Sequence, residues 1–231
     1  MTIWKTYHLA RSVNDALDAL ASAQGPARLI SGGTDLLLDL QQGRHPPVHT
    51  LVDVTAVPEM TLLEVRGGEL FVGASVPLNR IVRSPLVLEH AQALNEACDL
   101  IGGPQVRNSA TLGGNVAHAL PAADGTIALL AQGAEAEIAS LDGCRRVPVI
   151  DLFLGPGRSA LQPQGELLLG FYLPLRRPHQ ASAFRRIMRP QGVALPIINM
   201  AIWVQRKDDR LEDVRLSVGP AGPTERRTSS S

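Results

Sequence analysis

The chain has 231 residues, 45% of them apolar and 3% aromatic, and its 22 Lys plus Arg are balanced by 22 Asp plus Glu. This length allows one large domain or two small ones around a genuine core. A net charge of zero argues against nucleic acid or an anionic membrane as partner, since both select a basic excess.

Ser12 is placed to cap a helix over residues 13–23, with Val13, Ala16, Leu17 and Leu20 on one face and Gly25 beyond its end. Arg28-Leu29-Ile30 reads as a short strand, followed by Ser31-Gly32-Gly33-Thr34 and a helix over residues 35–42. Leu51-Val52-Asp53-Val54 reads as the next strand, so the first third is a small βαβ-like unit. Residues 62–65 and 69–73 flank Gly67-Gly68 and predict a hairpin. A short helix is expected over 77–82 and a longer one over 85–100. Residues 101–125 are Gly-rich with little regular character. A helix over 127–132, strands over 135–140 and 146–149, and a strand over 166–173 closed by Pro174 follow. The polar, basic segment 174–180 marks a domain boundary. Three strands are expected over 182–188, 197–205 and 210–218, and the tail from Pro220 to Ser231 reads as disordered.

Cys98 and Cys144 lie far apart, and neither belongs to a CxxC pattern. A zinc or iron–sulfur site built by this chain alone is not expected, and a disulfide between the two stays open. The N-terminus lacks the basic start and apolar run of a signal peptide. The longest apolar stretch, Val193 to Val204, is interrupted by Pro196 and Asn199 and falls short of the about 20 apolar residues that span a bilayer. No membrane insertion is expected, and the chain reads as cytoplasmic and reduced.

Two loops carry the chemistry. In Leu29-Ile30-Ser31-Gly32-Gly33-Thr34-Asp35-Leu36 an apolar strand runs into two glycines and a helix starts at once. Phosphate binding needs this layout, because glycines let the backbone approach an anion and free N–H groups at a helix start point at it. The same layout also serves as an ordinary tight connection. It is neither the GxGxxG fingerprint nor a Walker A loop. The second loop runs from Ile101-Gly102-Gly103 through Thr111-Leu112-Gly113-Gly114-Asn115 to Pro121-Ala122-Ala123-Asp124. It offers amides from Gly113, Gly114 and Asn115, a hydroxyl from Thr111 and a carboxylate from Asp124. Two such loops from different subdomains suggest a long ligand lying between them.

Ser-Gly-Gly-Thr-Asp-Leu at 31–36 and Gln-Val-Arg-Asn-Ser-Ala-Thr-Leu-Gly-Gly-Asn at 105–115 resemble the two flavin-binding motifs of the molybdenum hydroxylase medium subunits. That group includes the FAD subunits of carbon monoxide dehydrogenase and xanthine dehydrogenase. The likeness covers residues from about 5 to about 219. It implies an α+β fold: a two-part FAD-binding domain of the PCMH / vanillyl-alcohol-oxidase type, then a truncated small α+β domain with an antiparallel sheet. The expected division is 1–174 for the FAD-binding domain, in subdomains of about 1–57 and 58–174, and 175–231 for the partial C-terminal domain with its tail.

The resemblance further implies that residues 32–36 and 111–115 hold the FAD diphosphate. The implied cofactor-binding set is Ile30, Ser31, Gly32, Gly33, Thr34, Asp35 and Leu36 with Thr111, Leu112, Gly113, Gly114 and Asn115. Asp124 resembles the family's acidic residue for ribose or ribityl hydroxyls. Ile101 and Gly102 match positions near the isoalloxazine ring, and Leu168 an apolar ring or adenine contact. Arg185 or Arg186 falls where the family often has a lysine near the flavin pyrimidine edge, where a cation stabilises charge on the reduced ring. The run of arginines at 176, 177, 185, 186 and 189 also reads as a solvated face or a docking surface.

Three departures stand out. Leu120 replaces the family's usual Ser, a family Asp is absent where Val193 and Ala194 lie, and the chain stops where the family usually continues with helices. The implied function is an oxidoreductase subunit without catalytic or metal-binding residues of its own. Molybdopterin is expected on a large partner subunit and 2Fe–2S clusters on a small one, and a homodimer stays open. The alternatives are a self-contained flavin reductase of the same fold and a flavin-binding protein without turnover.

Overall fold

A computed structural model describes residues 3–189 and 195–221 and the backbone of residues 226–230. The fold is mixed α+β. Its first lobe contains β1 (Thr6–Leu9), α1 (Val13–Ala21), β2 (Ala27–Ile30), α2 (Leu36–Gln41) and β3 (Thr50–Asp53). The three strands lie in the order β1-β3-β2, and both pairings are parallel. Ser12 Oγ accepts the Asp15 amide at 3.1 Å, and Ala16, Leu17 and Leu20 are buried, so α1 follows its cap and its apolar stripe. Strand β1 has no counterpart in the sequence reading. It is a mostly exposed edge strand without an apolar alternation, and its partner β3 supplies the ladder.

The second lobe is built on a five-stranded antiparallel sheet in the order β4-β5-β10-β6-β7. Strands β4 (Leu63–Arg66) and β5 (Glu69–Gly73) turn through Gly67 and Gly68, at φ +60° and +83°, a left-handed pair that favours glycine. Six helices follow: α3 (Leu78–Val82), α4 (Pro85–His90), α5 (Gln92–Leu100), α6 (Pro104–Ser109), α7 (Leu112–Ala117) and α8 (Asp124–Ala131). Then come β6 (Glu135–Ser140), β7 (Gly143–Pro148), the small hairpin β8 (Phe153–Gly155) and β9 (Arg158–Ser159), and β10 (Leu167–Pro174). Central β10 is buried along almost its whole length, as its apolar run demands.

Two expectations change here. The single helix over 85–100 is broken at Ala91, whose φ of −139° and ψ of 54° leave the helical region, and the Ala93 amide, orphaned in the first turn of α5, donates to Ser182 Oγ at 3.1 Å. The irregular stretch over 101–125 contains α6 and α7. Pro104 occupies the start of α6, and Thr111 caps α7. Glycines inside α7 lower its intrinsic helicity and hide it from pattern reading.

The C-terminal sheet is antiparallel in the order β11-β12-β13-β14, with β11 (Gln180–Met188), β12 (Pro196–Lys207), β13 (Arg210–Gly219) and β14 (Arg226–Ser230). The expectation was an α+β unit. Among the described residues this part is all strand, and its helical cover is α5 and α8 from the preceding lobe. Ser182, Phe184, Asn199, Ala201 and Ser217 are buried on that side, while Ile187, Ile198 and Met200 are exposed. The tail expected to be disordered includes β14, which pairs with β13. An open sheet edge offers ladder partners whatever the side chains. Val193 and Ala194, one of the departures above, lie outside the described residues. Both cysteines are free, Cys98 buried and Cys144 exposed.

Candidate functional site

Strand β2 delivers the first loop to the carboxyl ends of the three parallel strands, the usual ligand edge of such a sheet. Gly33 sits at φ +67°, which turns the chain sharply into α2. Among the described residues, the amides of Gly32, Gly33, Thr34, Asp35 and Leu36 donate no backbone hydrogen bond. Asp35, at the cap position, makes no side-chain cap bond either. Five consecutive donors are therefore left for an acceptor outside the backbone. Ser31 Oγ donates to Ser75 Oγ at 3.0 Å and ties the loop to the segment after β5.

The second loop is gripped by Arg107, whose role the sequence reading missed. Its guanidinium donates to the Gly102 carbonyl at 2.9 Å, to the Ile101 carbonyl at 3.3 Å and to Asn79 Oδ1 at 3.3 Å, and pairs with Asp99 at 3.3 Å. Asn79 in turn donates to the Pro104 carbonyl at 3.1 Å and to Asn108. Gly102 lies at φ +57° inside this clamp. No local motif marks it, since every partner but Asp99 is a backbone carbonyl or a side-chain amide.

The amides of Gly113, Gly114 and Asn115 were expected as donors, and the structure shows each of them engaged. Gly113 N donates to the Ala74 carbonyl at 2.9 Å, Gly114 N to Thr111 Oγ1 at 3.2 Å and Asn115 N to the Thr111 carbonyl at 3.0 Å. The reason is that they form the capped first turn of α7. What α7 presents instead is bare backbone. A Cβ on Gly114 would meet only Thr111 Oγ1, at 3.2 Å, and Gly114 is exposed. The first loop thus supplies donors and the second a flat wall. The two touch directly, because a Cβ on Gly32 would stand 2.8 Å from Ala110 Cα.

Asp124 opens α8. Arg186 Nη1 donates to its Oδ2 at 2.6 Å, and Asn199 Nδ2 donates to its Oδ1 at 2.6 Å. The Arg186 and Asp124 side chains are only 7% and 4% exposed. Burial pushes the Asp124 carboxyl above its ordinary value, while the Asn199 amide and the Arg186 guanidinium pull it back. Arg186 Nε is buried without an acceptor among the described residues. Arg185 is 75% exposed at its side chain and pairs with Glu96 at 2.9 Å, so of the two candidate arginines only Arg186 joins this cluster. Leu168 is 5% exposed within the hydrophobic core and offers a ligand little surface. Ile101 is partly buried against the same core. Asn199 was not a sequence candidate, because it stands in an apolar strand where nothing local marks it.

An FAD-sized group fits these residues. Its diphosphate oxygens match five unbonded amides, its backbone approach matches the bare Gly114 surface, and a buried guanidinium retains a free donor. Two surface hollows of about 590 and 610 Å³ are lined by other residues, the first by Asn79, Arg80 and Arg83 and the second by Arg28 and Gln162. An elongated ligand held along a seam needs no deep hollow, so the loop geometry outweighs them.

The sequence matches the family described as FAD binding domain in molybdopterin dehydrogenase over residues 3–176. It is 31% identical to a xanthine dehydrogenase FAD-binding subunit of Escherichia coli O157:H7, with 95% of this chain and 75% of that protein aligned. It is 28% identical to the carbon monoxide dehydrogenase medium chain of Hydrogenophaga pseudoflava, over 94% of this chain and 75% of that one. The fold superposes on a carbon monoxide dehydrogenase structure from the same organism with a TM-score of 0.91 and 26% identity, covering 96% of this chain and 77% of the other. Donor loop, bare glycine wall and buried arginine fall inside or beside the matched stretch, and the chain belongs to the FAD-binding domain family of the molybdopterin dehydrogenases, a family of oxidoreductase subunits.

Proposed function

We propose that this chain holds FAD along the seam between residues 31–36 and 111–115 and works as the FAD subunit of a multi-subunit molybdenum hydroxylase. In this reading a large molybdopterin-binding subunit oxidises the substrate. A small subunit with 2Fe–2S clusters hands electrons to this chain, and an external acceptor takes them away. The observation that carries the reading is the run of five unbonded amides from Gly32 to Leu36, in a loop packed backbone to backbone on Ser109 and Ala110 just before α7. FAD supplies the exchange between single-electron and paired-electron transfer. The chain's own residues bind and orient it: the amides take the diphosphate, α7 lets it approach, and Arg186 brings a donor and a positive charge.

The FAD-binding unit is read as residues 1–174, with residues 175–231 as a second unit, and the family match over 3–176 supports that division. Relatives named medium chain or FAD-binding subunit support the partner assignment. The exposed apolar side of the C-terminal sheet suits contact with a second copy of the chain. Among the described residues no helix is long and apolar enough to cross a membrane, which suits a cytoplasmic location. Titration with FAD and FMN tests the cofactor assignment. FAD is expected to bind more tightly by about tenfold or more, about 1.4 kcal/mol. Equal affinity for FMN, which lacks the second phosphate, would remove the diphosphate role of the seam.

A further inference from the structure

Apart from the seam of residues 31–36 and 111–115, α3 and the start of α4 enclose the hollow of about 590 Å³. Its lining is of two kinds. Leu63, Pro77, Pro85 and Leu86 make an apolar side, and Arg80, Arg83 and Asn108 a polar one. No acidic residue lines it.

We propose that this hollow binds a second ligand, a phosphate ester of nucleotide size, with its phosphate on the guanidinium groups of Arg80 and Arg83 and its flat ring against the proline and leucine side. The proposal does not depend on the FAD reading. Three observations carry it. First, Arg80 lies on α3 and Arg83 at its C-terminal cap, three residues on, and both are exposed. Like charges at that spacing repel, and no carboxylate in the lining offsets them. An anion between the two guanidinium groups would. Second, the donors are available. Arg80 Nη1 donates to the Thr61 carbonyl at 2.6 Å, which anchors that side chain. Its other N–H groups, and all of those on Arg83, have no acceptor among the described residues. By contrast Arg66, Arg107, Arg145 and Arg146 of the same lobe each reach a carboxylate. Two planar forks suit the several oxygens of a phosphate. Third, the wall is fixed before any ligand arrives, which lowers the cost of binding. The Leu78 amide donates to the Ala110 carbonyl at 2.9 Å, Pro77 bridges Thr111, and Asn79 ties Asn108 to the Pro104 carbonyl. The volume falls within the about 300–1,000 Å³ of small-molecule sites.

The experiment uses the full chain saturated with FAD, which keeps other nucleotides from the flavin loops. Isothermal calorimetry compares AMP, inorganic phosphate and adenosine as probes. AMP is expected to bind saturably, more tightly than either fragment by about tenfold or more, and to weaken as salt is raised. Arg80→Gln and Arg83→Gln are each expected to weaken AMP by about tenfold, the scale of a hydrogen bond to a charged group, with flavin content unchanged. Arg80→Gln also loses the Thr61 contact. Arg83 has no partner to lose among the described residues, so Arg83→Gln keeps the test open should the other variant fail to fold. Wild-type protein without saturable AMP binding would overturn the proposal, and so would equal AMP affinity in wild type and Arg83→Gln. Phosphate binding as tightly as AMP would overturn it too, since the apolar side would then hold no ring and the arginines would be a solvated pair that attracts any anion.

Discussion

Gly32 and Ser109 meet backbone to backbone: a Cβ on Gly32 would overlap the Ser109 carbonyl oxygen. This contact joins two loops from different lobes into one seam. Both neighbours of the added atom are main chain, so neither can swing aside. Gly32→Ala is expected to destabilise the protein by about 1–3 kcal/mol, as overpacking does, and to lower FAD affinity as the loops part. Thermal unfolding and flavin titration measure both, and wild-type values in each would show that the loops tolerate separation.

Gly114 behaves in the opposite way. It lies in α7 and is not among the glycines at positive φ, and its Cβ direction is open apart from Thr111 Oγ1. Alanine there adds helix propensity worth up to about 1 kcal/mol. Gly114→Ala should therefore leave the melting temperature of the FAD-free protein unchanged or slightly raised, while FAD affinity falls. Gly114→Val should lose more FAD for the same reason of bulk. Flavin content unaltered in the valine variant would remove Gly114 from the seam.

Arg107 holds the turn at residues 101–103 through a planar set of donors. Lysine carries the charge but not the fork. Arg107→Lys is expected to destabilise by about 2 kcal/mol, the scale of lost hydrogen bonds to a charged group, and to loosen flavin binding. Denaturant unfolding that matches wild type would mean the clamp is not needed.

Much of this was legible from local chemistry. Gly67-Gly68 announces a hairpin because only its own two residues must turn. Ser12 announces α1 because its cap partner is three residues away, and the glycine pair at 32–33 marks the donor loop. What was hidden depends on distant partners. The amide that the break at Ala91 leaves free finds its acceptor at Ser182, far along the chain. Asn199 matters because β12 sets it opposite Arg186. The amides of residues 113–115 read as free until α7, weak by composition, is seen to be capped by Thr111. Asp124 was found by resemblance, but its buried partners could be seen only in three dimensions.

The outer face of the C-terminal sheet carries Ile187, Ile198 and Met200 in the open. Ile187 and Ile198 are register partners, so they form one patch. Exposed apolar patches seek cover. The isolated chain is expected to self-associate, and Ile198→Lys with Met200→Lys to shift it toward monomer without changing FAD affinity. Size-exclusion chromatography with light scattering reads the result. A wild-type chain that stays monomeric at high concentration would show that the patch is tolerated.

The bond from the Ala93 amide to Ser182, and that from the Phe184 amide to Glu96 at 2.7 Å, have a consequence for autonomy. The matched stretch ends at residue 176, but α5 completes its hydrogen bonding only with strand β11. Asp124, buried at the head of α8, likewise finds its cation and its amide only on β11 and β12. The boundary in sequence is thus not a boundary in cooperativity. Cutting there would strand a buried carboxylate without its counter-ion and bare the helices that the last sheet covers. The two parts are expected to melt as one, in a single calorimetric transition, because the last sheet carries the partners of both helices.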